Sequence, residues 1–164
     1  MPHEHRDQEG LRHFSGILNQ MEPLLGQLLN CEPRQRGILP TAPERPGVYL
    51  FTEAGKPIYV GQTRSFRRRW GEHTRPSSPE NSAPFAFNIA RREAIRKNLD
   101  ATGPRKAVSK LPDFAELFKA AKSRVRAMDF RFVEIEDPPL RTIFEVYASL
   151  ALGTHGDFNV FETH

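Results

Sequence analysis

At 164 residues the chain has the length of one domain, enough for a single hydrophobic core. It carries 24 Lys+Arg against 20 Asp+Glu, a net charge of +4 with a pI near 9.5, which favours a polyanionic partner. One cysteine, Cys31, excludes an internal disulfide, and no apolar run reaches signal-peptide or membrane-span length; a cytosolic protein without membrane contact is expected.

Residues 1–10 are polar and are expected to fray. Leu11, Phe14, Leu18, Met21, Leu25 and Leu28 then recur at helical spacing, and Pro23 either kinks this stripe or opens a second helix. Such a stripe packs on its own sheet more often than it forms a dimer seam, which leaves monomer or homodimer open. Residues 32–46 hold Pro33, Pro40, Pro43 and Pro46 and read as an extended linker. Residues 1–46 are thus expected as an N-terminal extension and linker, and 47–164 as the main domain.

Gly47 to Phe51 is apolar and aromatic, as strands prefer, and Pro57 to Val60 is a second strand. The polar break Glu53-Ala54-Gly55-Lys56 between them suits a hairpin loop. A helix follows, with Phe66 and Trp70 four apart on one face and Arg69 and His73 four apart on the next. By residue type alone this is a hairpin with a surface helix, its tyrosines packed and its arginines solvated.

Residues 75–82 form a loop by composition. Helices are expected from about Phe87 to Leu99, with Ile95 and Leu99 on one face, and from Pro112 onward, with Phe114, Leu117 and Phe118 buried. The segment 75–124 reads as a helical insertion. Val125 to Glu136 is the third strand, with Phe130 and Phe132 on one face and Arg131, Val133 and Ile135 on the other. The last helix runs from about Leu140 to Leu152 and stops at Gly153; its apolar face includes Ile143, Phe144, Val146, Tyr147 and Leu150. Glu145 stands alone in it and by residue type would be exposed. No CxxC pair, HExxH, Walker motif or dinucleotide fingerprint occurs, and His155, Asp157, Glu162 and His164 fit no compact metal site.

The spacing within 47–73 adds to this. Gly47-Val48-Tyr49, then nine residues, Tyr59-Val60-Gly61, and Arg69 ten past Tyr59, resemble the signature of the GIY-YIG nuclease family. The resemblance covers 47–73 well and 125–159 more loosely. It implies an α/β (α+β) fold with a small three-stranded, mostly antiparallel sheet flanked by helices. It implies a metal-dependent DNA endonuclease using one Mg²⁺ or Mn²⁺ and no organic cofactor. Carried onto this sequence, the catalytic set is Tyr49, Tyr59, Arg69, His73, Glu145 and Asn159, with Glu145 as metal ligand. Tyr59 or His73 would be the general base, and Arg69 would clamp the phosphate. Gln62 stands where some repair-type members carry a lysine.

Arg64, Arg67, Arg68, Arg75, Arg91, Arg92 and Arg96 are expected to meet DNA phosphates. Phe85 and Phe87, if exposed, would stack on unpaired bases and favour a single-stranded or branched substrate. The alternatives are a duplex restriction-type dimer and a non-catalytic nucleic-acid-binding module on the same fold.

Overall fold

The computed structural model describes residues 2–34, 45–156, 158 and 159. Its centre is one antiparallel sheet in the order β2-β1-β3, formed by β1 (Gly47–Glu53), β2 (Lys56–Thr63) and β3 (Asp129–Glu134). The hairpin turn is two residues long, and Ala54 (φ 50°) and Gly55 (φ 77°) are both left-handed. That geometry matches the twist of the strands it joins, and glycine adopts it without a Cβ clash. β1 is the middle strand. Tyr49 and Phe51 point to one face, Val48 and Leu50 to the other, and all four are fully buried.

Both faces are covered by helices. α1 (Pro2–Leu18) and α2 (Met21–Asn30) precede the sheet. α3 (Phe66–Thr74), α4 (Pro84–Arg96), α5 (Arg105–Val108) and α6 (Pro112–Ala127) lie between β2 and β3, and α7 (Pro138–Ala151) follows. α3, α4 and α6 build an aromatic core on the Tyr49 face, whereas α2 and α7 build an aliphatic one on the Val48 face. Proline sits in the first turn of α4, α6 and α7, where its missing N–H would have had no helical partner. Ser65 caps α3 by accepting from Arg68 N at 3.2 Å, and Asp137 caps α7 by accepting from Leu140 N at 2.8 Å.

The expected fold holds, and several details are corrected. α1 reaches back to Pro2, so a helix replaces the expected frayed stretch. The buried stripe of α1 and α2 is Ile17, Met21, Leu24 and Leu28, while Leu11, Phe14 and Leu18 are exposed. The helix divides before Met21, which turns the apolar stripe onto a new axis, with Pro23 in the first turn of α2. β3 begins at Asp129 because α6 continues through Ala127. α4 starts at Pro84 and buries Phe85, Phe87, Ile89 and Ala90; Ile95 is exposed. On α7, Phe144 is buried, but Val146 and Leu150 face solvent. Residues 35–44 of the expected linker, and Asp157, Glu162 and His164, lie outside the described residues. No helix among the described residues is long and apolar enough to cross a membrane.

Candidate active site

Two glycines let the sheet close around Tyr49. A Cβ on Gly61 would lie 2.4 Å from Tyr49 Oη, so the phenol rests against bare β2 backbone. A Cβ on Gly47 would meet Val133 O at 2.0 Å and the Phe66 ring at 2.5 Å, so this glycine lets β3 and α3 approach β1. The glycines that flank the tyrosines are therefore required sterically. In the aromatic face so formed, Tyr49 stacks on Phe130 at 5.3 Å and has Tyr59 at 6.2 Å.

α3 delivers two polar groups to Tyr49 from one helical face, because Arg69 and His73 are one turn apart. Arg69 Nε donates to Tyr49 Oη at 3.1 Å, and His73 Nε2 lies 3.0 Å from the same oxygen. Arg69 Nη1 is held by Glu72 Oε2 at 2.9 Å and by the Ser82 carbonyl at 3.2 Å. The guanidinium also bonds Tyr59, and the side chain keeps 21% of its surface open.

Burial decides the protonation states here. Burial pushes the Tyr49 phenol well above its ordinary value of 10, more than the adjacent Arg69 lowers it. Tyr59 is also raised by burial, and hydrogen bonds from Tyr49 and Arg69 partly offset this. His73 is pushed well below 6.5 by burial and by the Arg69 charge, so its ring is neutral. Burial opposes the Arg69 charge, yet Tyr49 and Glu72 outweigh it and its pKa is raised.

The neutral ring also reveals its tautomer. Nδ1 of His73 is buried without a partner. An unpaired lone pair there costs less than an unpaired buried N–H, so the proton sits on Nε2 and is donated to Tyr49. Tyr49 Oη then accepts from both Arg69 and His73, and its own O–H is directed to Tyr59. Tyr59 is half-buried and stacks on Phe85 at 4.4 Å with the rings 9° from parallel.

Glu145 approaches from the other face, on α7. Its Oε1 accepts from the Gln62 backbone N at 3.1 Å, and its Oε2 from Gln62 Nε2 at 2.7 Å. Arg141 Nε donates to Gln62 Oε1 at 3.3 Å, which fixes the amide with its NH₂ toward Glu145. Burial raises the Glu145 pKa; the two Gln62 donors and the Arg69 charge lower it by less. Two residues along the same edge strand, Val60 N donates to Asn159 Oδ1 at 2.9 Å, and Asn159 Nδ2 donates back to Val60 O. Glu145 and Asn159 thus satisfy the outer edge of β2, which would otherwise present unpaired backbone groups.

Glu145 is the carboxylate offered for a metal ion. No group of three or more His, Cys, Asp or Glu gathers among the described residues. Such a site fits a hard divalent cation that keeps most of its shell from water and phosphate, as Mg²⁺ and Mn²⁺ do. Each Glu145 oxygen retains a lone pair beyond the one Gln62 occupies.

The segment 75–124 braces this centre. Phe85 and Phe87 are fully buried, so the exposure that base stacking required is not met. Lys122 of α6 is 5% exposed and donates to the carbonyls of Pro76 and Ser78. It thereby ties down the loop whose Ser82 carbonyl holds Arg69. Arg91 is committed to the Phe87 ring at 4.9 Å and to Gly103 O at 2.9 Å. Arg64, Arg67, Arg68 and Arg75 are exposed along α3 and its flanks, Arg68 pairing with Glu72 at 3.4 Å. Arg92 and Arg96 lie elsewhere, on the outer side of α4.

Sequence reasoning missed Glu72, the Gln62–Glu145 link, the stacking of Phe85 on Tyr59, and Lys122. Only Glu72 had a local signal, its i,i+3 spacing from Arg69.

Residues 45–96, about a third of the sequence, match the family model for the GIY-YIG catalytic domain. The chain carries a GIY-YIG catalytic domain. This is an endonuclease domain, and the match takes in Tyr49, Tyr59, Arg69 and His73 but stops short of Glu145 and Asn159. The chain is also similar to the UvrABC system protein C of Aquifex aeolicus (strain VF5), with 40% identity over 40 residues. That stretch is 24% of this chain and spans 7% of the relative's length. No solved structure gave a significant match.

Proposed function

We propose that this chain is an endonuclease that hydrolyses DNA phosphodiester bonds with one divalent cation, Mg²⁺ or Mn²⁺, held by Glu145. One observation carries the reading. Tyr49, Arg69 and His73 form a hydrogen-bonded cluster, and the Glu145 charge acts on Tyr49, on Tyr59 and, reciprocally with Arg69, across the same small space.

Arg69 neutralises the scissile phosphate through the part of its guanidinium that stays exposed. Glu72 and Ser82 hold that guanidinium from behind, so little orientation is lost when the phosphate arrives. Tyr59 is the general base, because it alone of the three titratable ring groups is partly open to solvent. His73 donates to Tyr49 and keeps its other nitrogen enclosed, so it is a positioning residue. Tyr49 passes this order on to Tyr59. Gln62, fixed by Arg141, aims the Glu145 carboxylate, and Asn159 holds the strand that carries Tyr59. When bound, the cation would activate water, offset phosphate charge and assist the leaving oxygen. Burial raises both tyrosine pKa values, so Tyr59 must first lose its own proton to solvent; the opposing charge of Arg69, and of a cation when bound, would favour the phenolate that then accepts the proton of the attacking water.

The burial of Phe85 and Phe87 withdraws the support that exposed aromatics would have lent to a single-stranded or branched substrate. Purified protein incubated with single-stranded, duplex and branched DNA, each with Mg²⁺, Mn²⁺ or EDTA, tests the reading. Metal-dependent cleavage of at least one form is expected. Binding without cleavage of any form would favour the non-catalytic module instead.

A further inference from the structure

Beside the candidate active site lies a cavity of about 310 Å³ between the start of β2, the outer side of α4 and the chain after α7. Its charged lining is lopsided. Lys56, Arg92, Arg96 and Arg124 meet one acid, Glu93. The four cations come from three separate elements, so they converge through the tertiary fold and not through a local basic run. They are held to different degrees. Arg124 is locked to Glu53 by two bonds of 2.8 and 2.6 Å. Arg96 is 80% exposed and only loosely paired with Glu93 at 3.9 Å. Lys56 is exposed at the hairpin end. Arg92 lies over the Phe158 ring at 4.4 Å, which presents its guanidinium as a flat, cationic wall.

The cavity adjoins the centre already described. Ile58 lines it and precedes Tyr59 in β2; Phe158 lines it and touches Phe85, on which Tyr59 stacks. Along α7, Leu152 at its rim is seven residues past Glu145, roughly 10 Å at helical rise. That separation from Glu145 equals about three nucleotides along one strand.

We propose that this groove is a second phosphate-binding site, which seats the backbone of one substrate strand to one side of the cut. It rests on the nuclease reading and assigns Lys56 and Arg96 as the phosphate contacts. Arg92 is the wall against which the sugar or base lies. Arg124, neutralised by Glu53, is a structural member. Such a site adds affinity and a fixed strand polarity without base readout.

The test measures binding of a fluorescently labelled oligothymidylate, and of a duplex of equal length, in EDTA across a salt series. Two exposed-charge variants are compared with wild type. Lys56→Gln/Arg96→Gln removes the proposed contacts; Lys106→Gln/Lys110→Gln removes the same net charge at exposed positions outside the groove. Loss of two phosphate contacts should weaken binding roughly tenfold and lower the salt slope by about 1.4 on a single strand. The Lys106/Lys110 variant should keep the wild-type slope. Equal slopes in both variants, with wild type cleaving DNA when Mg²⁺ is added, would overturn the groove and leave the nuclease reading standing. A wild type that neither binds nor cuts any form would overturn both.

Discussion

The two faces of the sheet are built from the same strand yet differ in kind. On one, Tyr49 and Phe51 enter a core that buries Phe66, Phe85, Phe87, Phe114, Phe118 and Phe130. On the other, Val48 and Leu50 meet Val60, Val133, Ile135 and a single buried aromatic, Phe144. The aliphatic face serves as scaffold, and its buried polar groups on α7, Arg141 and Ser149, are bonded to carbonyls and to Gln62. The aromatic face encloses a phenol, a guanidinium and an imidazole. Aromatic rings tolerate this better than branched aliphatic chains, because their edges and faces accommodate polar neighbours and fix ring orientation. Glu145 is the exception: borne by a helix of the aliphatic face, it reaches round the edge of β2 to the polar cluster. The candidate site therefore lies where the two faces meet, and its parts are supported from both.

The comparison can be broken most strongly in the cores. Phe144→Ala and Phe85→Ala should each cost about 3–5 kcal/mol in denaturant unfolding. Among the molecules that remain folded, only Phe85→Ala should slow cleavage, since it removes the ring beneath Tyr59. Equal rate losses would mean that the faces do not divide as described.

Next come the two charges that meet from opposite faces. Arg69→Ala and Glu145→Ala should each reduce single-turnover cleavage by about 10²-fold or more while circular dichroism stays unchanged. Glu145→Ala should also abolish Mn²⁺ binding, whereas Arg69→Ala should retain it. Near-normal cleavage by Glu145→Ala would remove it as the metal ligand.

A smaller break is made at Gly61. Gly61→Ala inserts a methyl group 2.4 Å from Tyr49 Oη, so about 1–3 kcal/mol of stability should be lost and Tyr49 displaced. A crystal structure of the variant with Tyr49 unmoved would contradict this.

The polar cluster also gives the aromatic face a pH dependence. His73 is neutral in the folded chain, and its folded pKa is depressed below 6.5. Below pH 6.5 the unfolded chain binds a proton that the folded chain refuses, so stability falls with falling pH there, by about 1.4 kcal/mol per unit. Above pH 6.5 this contribution is constant. His73→Asn should flatten the slope in unfolding titrations between pH 6.5 and 5; an unchanged slope would assign it to another group.

The finest comparison is between the helix caps. Ser65→Ala and Asp137→Ala should each cost about 1 kcal/mol. Ser65→Ala should in addition lower cleavage, because α3 carries Arg69 and His73, and equal activity in the two variants would argue that α3 needs no such anchoring.

Much of the fold was legible before any coordinates. The hairpin, α3, α6 and α7 follow from local signals: strand-forming residues about Ala54-Gly55, prolines that open helices, a glycine that closes one. The spacing of Tyr49, Tyr59 and Arg69 is local too, because it is set by one hairpin and one helix turn. Local signals failed where two elements compete for one stretch. Val125 suits a strand as well as a helix, and α6, with Phe114 and Phe118 buried, runs through it to Ala127. Ile95, Val146 and Leu150 have the right spacing to be buried, but none of the described residues covers them. What the tertiary structure alone decided is which groups meet across distance in the chain. Glu145 and Gln62 are 83 residues apart, and Lys122 and Ser78 are 44. Such pairs leave no periodic trace, because periodicity records a residue's own element and says nothing of the element that packs against it. The sequence by itself determined the strands, the helices and the local signature; the packing of α4, α6 and α7 decided that Phe85 supports a tyrosine instead of a base, and that Glu145 faces inward.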